Sequence, residues 1–318
     1  VVSSVRAEDR FRDVFRRAHA AHASCTRDEW LRTPCSDAGG VVDRPLAWSR
    51  RNGPWQEVPV LLVGAAPGNA GGRGSGDMGA HATRIPFGGD VAGANLDVLL
   101  AAAGLDRNGI FIVAALNRLP DAGGGEPTSR ELAEPVGDFA TSLHLLRATL
   151  LAARPRLLIA LGNVGLRATI SAATGIQPSA TGVRMPGLAR LRRAGLERNV
   201  GAPWPEEFGP DSEFLSDWES DGARPLPRLL WLTHPSAQNM SPYAGVETAF
   251  HQRMVEARDA LTEAVRTTLD IEPPAERPEV PTADDARRRG GVYALPEWLE
   301  AVGPRHAELS ALWRHKGV

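Results

Sequence analysis

Val60-Leu-Leu-Val63 runs into Gly64-Ala-Ala-Pro-Gly68, then a glycine-rich segment, then Arg84-Ile-Pro-Phe-Gly-Gly-Asp-Val-Ala-Gly93. The reading of this stretch decides the fold. Consecutive apolar residues closed by a turn suit a strand buried on both faces, the habit of a parallel sheet covered by helices. Two glycine turns follow, the second presenting Phe87. Glycine lets backbone come close to a ligand, and Pro67 and Pro86 stiffen both turns. Open α/β sheets bind their ligands where strand ends open into such loops. An ordinary surface loop is the alternative at this point, and the rest of the chain decides between them.

Working outward, four runs read as buried strands: Val58–Val63, Ile110–Leu116, Arg156–Leu161 and Arg228–Thr233. Helical patterns lie between and after them. Asn95–Ala103 stops at Gly104, Ser129–Ala153 ends before Arg154-Pro155, and Val164–Ala173 and Val246–Leu269 complete the set. Strands alternating with helices predict an α/β fold built from βαβ units. The expected organisation is an N-terminal helix and irregular extension over 1–57, an α/β domain over 58–269 carrying an insertion at 174–225, and a Pro/Arg-rich linker with a closing helix over 270–318. Trp30, Trp48 and Trp55 are expected to anchor the extension, and Trp298 and Trp313 the closing helix.

Composition excludes several classes. No run of about 18 apolar residues occurs, so no membrane span is expected. Val1 to Arg17 is charged and lacks the apolar core of a secretory signal. Two cysteines, Cys25 and Cys35, predict free thiols in a reducing cytoplasm rather than a disulfide framework or a zinc site. Between Arg147 and Arg198 there are nine arginines and one acid, whereas Glu206 to Asp221 holds seven acids and no base. Such a pair of segments is either a footprint for phosphates or two faces that neutralise each other.

The last informative stretch is His234-Pro-Ser-Ala-Gln-Asn-Met-Ser-Pro-Tyr243, after the fourth strand. It puts His234 on the same strand-end rim as Gly64–Gly68. A histidine there can donate to an oxygen that gains charge in a transition state. Ser236, Gln238 and Asn239 are neutral donors suited to phosphate oxygens.

Taken together, Gly64-Ala-Ala-Pro-Gly68, Ile85-Pro-Phe-Gly-Gly-Asp-Val-Ala-Gly93 with Leu96-Asp97, Ala103-Gly-Leu-Asp-Arg107, Ile110-Phe-Ile-Val113, Pro127-Thr-x-x-Glu131, Arg154–Gly162 and His234-Pro-Ser236 resemble the uracil-DNA glycosylase superfamily over roughly residues 58–268. The order and spacing are similar to its bacterial and archaeal branches that carry an iron–sulfur cluster. The resemblance implies a three-layer αβα fold around a four-stranded parallel sheet, with a DNA groove across the strand ends. It implies base flipping and hydrolysis of the N-glycosidic bond of a deaminated base, uracil first, in base excision repair. By the family pattern Phe87 stacks on the base, His234 stabilises the departing base, and Gly64 and Ala65 line the pocket. DNA is the expected partner of a monomer that touches no membrane.

Departures from the pattern are equally specific. Ala65 stands where the cluster-bearing branches have an acid, so the water's partner is expected from the loop Asn69–Ile85, with Asp77 preferred over Asn69 and His81. Asp77 ending a turn is the plain alternative. The uracil-reading Asn position falls on Ala114; either Asn117, three residues later, reads the base, or the base is read differently and Asn117 opens a turn. Four cluster thiolates are not available, and no cofactor or metal is expected. Met240 is the candidate wedge for the gap left by the flipped base, packing under the last helix being its other reading. Arg253 and Arg258 face either phosphates or solvent. Retained Phe87 and His234 favour an active glycosylase, whereas Ala65 and Ala114 favour a diverged DNA- or nucleotide-binding relative.

Overall fold

A computed structural model describes residues 10, 13, 14, 17, 18, 59–66, 87, 91–105, 110–116, 120, 126–220, 224–236 and 247–279. Asp77, Asn117, Gln238, Asn239 and Met240 lie outside the described residues, as do Asn69, His81, both cysteines, Trp30, Trp48, Trp55, Trp298 and Trp313.

The four expected strands form: β1 (Val60–Gly64), β2 (Phe111–Ala114), β3 (Leu157–Leu161) and, after the insertion, β7 (Arg228–Leu232). They pair in parallel in the order β2-β1-β3-β7. The sheet has a fifth strand that the sequence reading lacked. β6 (Gly201–Ala202) pairs antiparallel with Leu230 and Leu229 and closes the β7 edge. It is two residues long and carries no alternating apolar pattern, so only the edge it covers makes it a strand.

Side chains of successive strand residues point to opposite faces, and here both faces are apolar. Leu61, Val63, Phe111, Val113, Leu158, Ala160, Leu229 and Trp231 belong to one core. Val60, Leu62, Ile112, Leu157, Ile159, Leu161, Leu230 and Leu232 belong to the other. Helices α1 (Val91–Ala102) and α7 (Glu247–Leu269) cover the second face. Helices α3 (Ser142–Ala153) and α4 (Gly162–Thr174) pack together on the first. Full burial of one Val, Leu or Ile is worth about 1.5–3 kcal/mol, against about 1 kcal/mol net for a ladder hydrogen bond. Two-sided apolar burial is therefore what holds the three αβα layers together. No helix among the described residues is long and apolar enough to cross a membrane.

Helix α1 begins at Val91, four residues before the expected start, and stops at Gly104. There Gly104 at φ 75° donates to Ala101 and Leu105 donates to Leu100, the paired bonds of a left-handed helix stop. The expected long helix 129–153 is two helices, α2 (Ser129–Leu132) and α3, separated by the turn around Pro135 and Gly137. Pro135 cannot continue the helix, and tertiary packing fixes the turn that follows. A Cβ on Gly137, at φ 58°, would stand 2.2 Å from the Arg17 carbonyl oxygen, and the Asp138 N–H donates to that oxygen at 2.8 Å. The helical residues Val14 and Ala18 are buried in the first core, and Arg17 lies 4.4 Å over the Phe139 ring.

Residues 174–225 carry a hairpin of β4 (Gln177–Ser179) and β5 (Gly182–Arg184), helix α5 (Leu188–Arg193), β6, a 3₁₀ turn at Glu206–Phe208 and helix α6 (Ser212–Glu219). Phe208, Phe214 and Trp218 bury in the first core. Much of the arginine-rich segment meets the acidic one. Arg147 grips Asp211 through two 2.7 Å bonds, Arg190 meets Glu207 at 2.6 Å, and Arg154 donates to the Asp217 carbonyl at 2.7 Å. Neutralisation between the two segments is thus the structural reading for Arg147 and Arg190, while Arg154 ties the segments through a backbone carbonyl.

Candidate active site

With β1 between β2 and β3, chain connections diverge on either side of the β1–β3 crevice, which is where open α/β sheets bind ligands. Gly64 ends β1 at this crevice. A Cβ added to it would stand 3.3 Å from Phe87 Cζ, so the missing side chain is space that the phenyl ring uses. Phe87 has φ 57°, a left-handed conformation that costs a bulky residue about 1–2 kcal/mol. Its ring packs half-buried against the second core.

His234 follows β7, two strands away, yet its ring lies 5.6 Å from the Phe87 ring, tilted by 44°. Gly162, directly after the intervening β3, sits beneath the histidine at φ 68°, a conformation that favours glycine, and a Cβ there would be in ordinary van der Waals contact with His234 Cβ at 3.4 Å. The Ser236 N–H donates to His234 Nδ1 at 3.3 Å. A neutral imidazole that accepts at Nδ1 carries its proton on Nε2, so the tautomer that donates from Nε2 is selected by the turn itself.

Two asparagines hold this turn, and neither was singled out from the sequence. Asn95, 1% exposed, donates from Nδ2 to the Pro235 carbonyl at 2.7 Å. Asn199 accepts at Oδ1 from the Thr233 N–H at 3.0 Å and from Thr233 Oγ1 at 3.2 Å, while its own N–H donates to the Trp231 carbonyl at 2.7 Å. Asn199 has φ 58°, a conformation asparagine tolerates better than most residues. The available signal for Asn95 was a polar residue on the apolar face of α1, beside Leu96 and Leu99. For Asn199 no local signal existed, because its partner is 34 positions away. Replacing Asn95 by Ala leaves a buried carbonyl unsatisfied. N95A is expected to lose about 1–3 kcal/mol of stability by urea denaturation.

Ala65 and Ala114 flank the opposite wall. Gly64 is in register with Ala114, and the pairing continues past the strand ends through Ala115 N–H to the Gly64 carbonyl at 2.9 Å and Leu116 N–H to the Ala65 carbonyl at 3.0 Å. Both alanines are half-buried and bring only methyl groups. Of the residues predicted from sequence, the fold gathers Gly64, Ala65, Phe87, His234 and Ser236 on one rim. The chain's two cysteines do not fit the four-thiolate ligand set of an iron–sulfur cluster, and no step below passes through one.

The tight fit of Phe87 on Gly64 yields a measurable expectation. G64A forces the ring to move by a few tenths of an ångström. Nearly unchanged melting temperature is expected, and, for chemistry carried by this site, a fall of about tenfold in turnover, since sub-ångström misplacement in a site is costly.

The sequence model described as the Uracil DNA glycosylase superfamily matches residues 51–261. Among curated proteins no match is found.

Proposed function

The chain belongs to the uracil-DNA glycosylase superfamily, whose members act on DNA and are generally DNA glycosylases, and from that premise we propose that it hydrolyses the N-glycosidic bond of a flipped, deaminated base, uracil first. The observation that carries the proposal is the Phe87–His234 pair, 5.6 Å apart, with the histidine tautomer set for donation from Nε2.

A base inside the duplex stack exposes neither its glycosidic bond nor its full edge, so the nucleotide must leave the stack first. Unstacking costs a few kcal/mol and least for a mispaired base, as uracil opposite guanine is. In the proposed complex Phe87 stacks on the extruded ring and the His234 Nε2–H donates to O2. The C1′–N1 bond then breaks with its electron pair passing to the base, where charge collects on O2. A donor aimed at that oxygen stabilises the departing anion more than the ground state. Water supplies the hydroxyl that ends on C1′, and its proton is left for the released base. By resemblance Asp77 aligns that water and offsets positive charge on the sugar. Asn117 reads the base edge, Ser236, Gln238 and Asn239 face phosphates, and Met240 fills the vacated stack. No metal or other cofactor enters this scheme.

The half-buried methyl groups at Ala65 and Ala114 favour a second reading, a relative that binds DNA without hydrolysing it. Oligonucleotides carrying uracil, hypoxanthine or xanthine, incubated with the protein and then treated with alkali, separate the two. Strand cleavage at the modified position is expected. Tight binding with no abasic product on any of them leaves the second reading.

A further inference from the structure

Not all arginines of the basic segment find acids. Arg198 and Arg192 both lie over the Trp231 ring, at 5.2 and 5.7 Å from its centroid, and Arg198 Nη2 donates to Asn163 Oδ1 at 3.1 Å. Among the described residues neither makes an ion pair, in contrast with Arg147 and Arg190, which carboxylates neutralise. Loss of hydration together with the neighbouring cations Arg192 and Arg253 pushes the Arg198 pKa down. Like charges crowded together repel, and this crowding is held in place by a fully buried tryptophan and an asparagine side chain. An anion between the guanidinium groups would relieve it.

The position of the pair indicates which anion. Arg198 precedes Asn199, whose side chain bonds the Thr233 N–H, one residue before His234. Asn163 follows Gly162, which packs beside His234 Cβ. The cations therefore stand on the same strand-end rim as the site, at the β7 edge. We propose that Arg192 and Arg198 form a phosphodiester site that holds the DNA backbone beside the nucleotide whose base is released. The proposal rests on the DNA-glycosylase reading above. It adds a role for the insertion 174–225, which both supplies the two cations and braces the His234 turn through Asn199.

Guanidinium groups grip phosphate oxygens through two parallel N–H bonds, and each phosphate neutralised steepens the salt dependence of binding by about one unit of log Kd per log salt. The test measures binding of a uracil-containing duplex between about 50 and 200 mM salt for wild type, R192Q, R198Q and the double variant. Each single substitution should weaken binding roughly threefold to tenfold and flatten the salt slope by about one unit. R190Q, on the same helix but paired with Glu207, should leave the slope unchanged. Unchanged melting temperatures show that folding is intact. R198K, which keeps the charge and loses the planar fork, should retain the slope while losing affinity. A wild-type slope that R192Q and R198Q leave untouched overturns the phosphate site while leaving the glycosylase reading standing. Wild type without measurable affinity for DNA overturns both. If the variants lose affinity for inorganic phosphate or dUMP but not for the duplex, the site takes free phosphate and the backbone assignment is wrong.

Discussion

H234A is expected to lower the rate of the proposed uracil release by about 10²–10³-fold, the usual consequence of losing one donor aimed at an oxygen that becomes anionic. The loss should appear in turnover, with duplex affinity changed little, because the bond to O2 strengthens only as charge develops there. Single-turnover cleavage of a uracil oligonucleotide measures it. H234Q gives the sharper control: an amide can donate where Nε2–H does but reaches it with a different geometry, so a partial rescue is expected. A rate within threefold of wild type for H234A would remove His234 from the chemistry. Should both variants also lose stability, the ring's contact with Phe87 would be structural, which comparison of their urea midpoints with that of wild type decides.

D211A is the substitution with the largest expected effect on stability. Asp211 receives two bonds from Arg147 at 2.7 Å each and also caps helix α6 by accepting from the Phe214 N–H at 2.7 Å. The Arg147 side chain is only 10% exposed and is further held by the Ala172 carbonyl at 3.2 Å and by the Phe214 ring, 5.3 Å from its guanidinium carbon. Removing the carboxylate leaves the buried guanidinium with only the exposed Glu213 carboxylate at 3.4 Å and the Ala172 carbonyl at 3.2 Å, a loss of about 3 kcal/mol, and loss of the cap adds about 1 kcal/mol. Solvent access to Asp211, 30% exposed, keeps the sum from being larger. Against a total of about 5–15 kcal/mol for an ordinary domain this is a severe loss. Urea denaturation measures it, and a change below about 1 kcal/mol would show that solvent already screens the pair.

The same ion pair predicts a pH dependence. The hydrogen bonds from Arg147 hold the Asp211 carboxyl below its usual range, so the folded-state pKa lies beneath the unfolded value of about 3.9. The unfolded chain takes up this proton first as pH falls. The contribution is therefore fully present above about pH 5 and is lost as pH drops through the folded-state value. Stability of wild type minus that of D211A should be flat from about pH 5 to 8 and shrink below about pH 4.

Where reading the chain succeeded, the signal was local. Val60–Val63 and Leu157–Leu161 are short apolar runs closed by glycine, and a strand buried on both faces has no other composition available to it. His234-Pro-Ser236 and the glycine turn at Phe87 were visible because proline and glycine restrict or free the backbone at the residue where they stand. Where it failed, the deciding partner was distant. The apolar pattern over 129–153 continues across Pro135, a local breaker that ends the first helix, but the turn that follows is held by the Arg17 carbonyl more than a hundred positions earlier. Charge counting along 147–221 left footprint and neutralisation open; the fold assigns Arg147 and Arg190 to neutralisation and leaves Arg192 and Arg198 together over Trp231.

By itself the amino-acid sequence determined that four buried parallel strands alternate with helices, and that glycine turns and a His-Pro-Ser turn stand at their ends. Only the tertiary structure decided that the two turns meet. Strand order places β3 between β1 and β7, and His234 passes over Gly162 at the β3 end to within ring contact of Phe87 on Gly64. The structure also decided that the Ser236 N–H faces Nδ1 of His234, and what braces that turn, through Asn95 and Asn199. Strand propensity and turn chemistry act over a few neighbouring residues. Strand order and the packing of a side chain against a glycine 72 positions away in numbering, as His234 is from Gly162, follow from how whole apolar faces are buried.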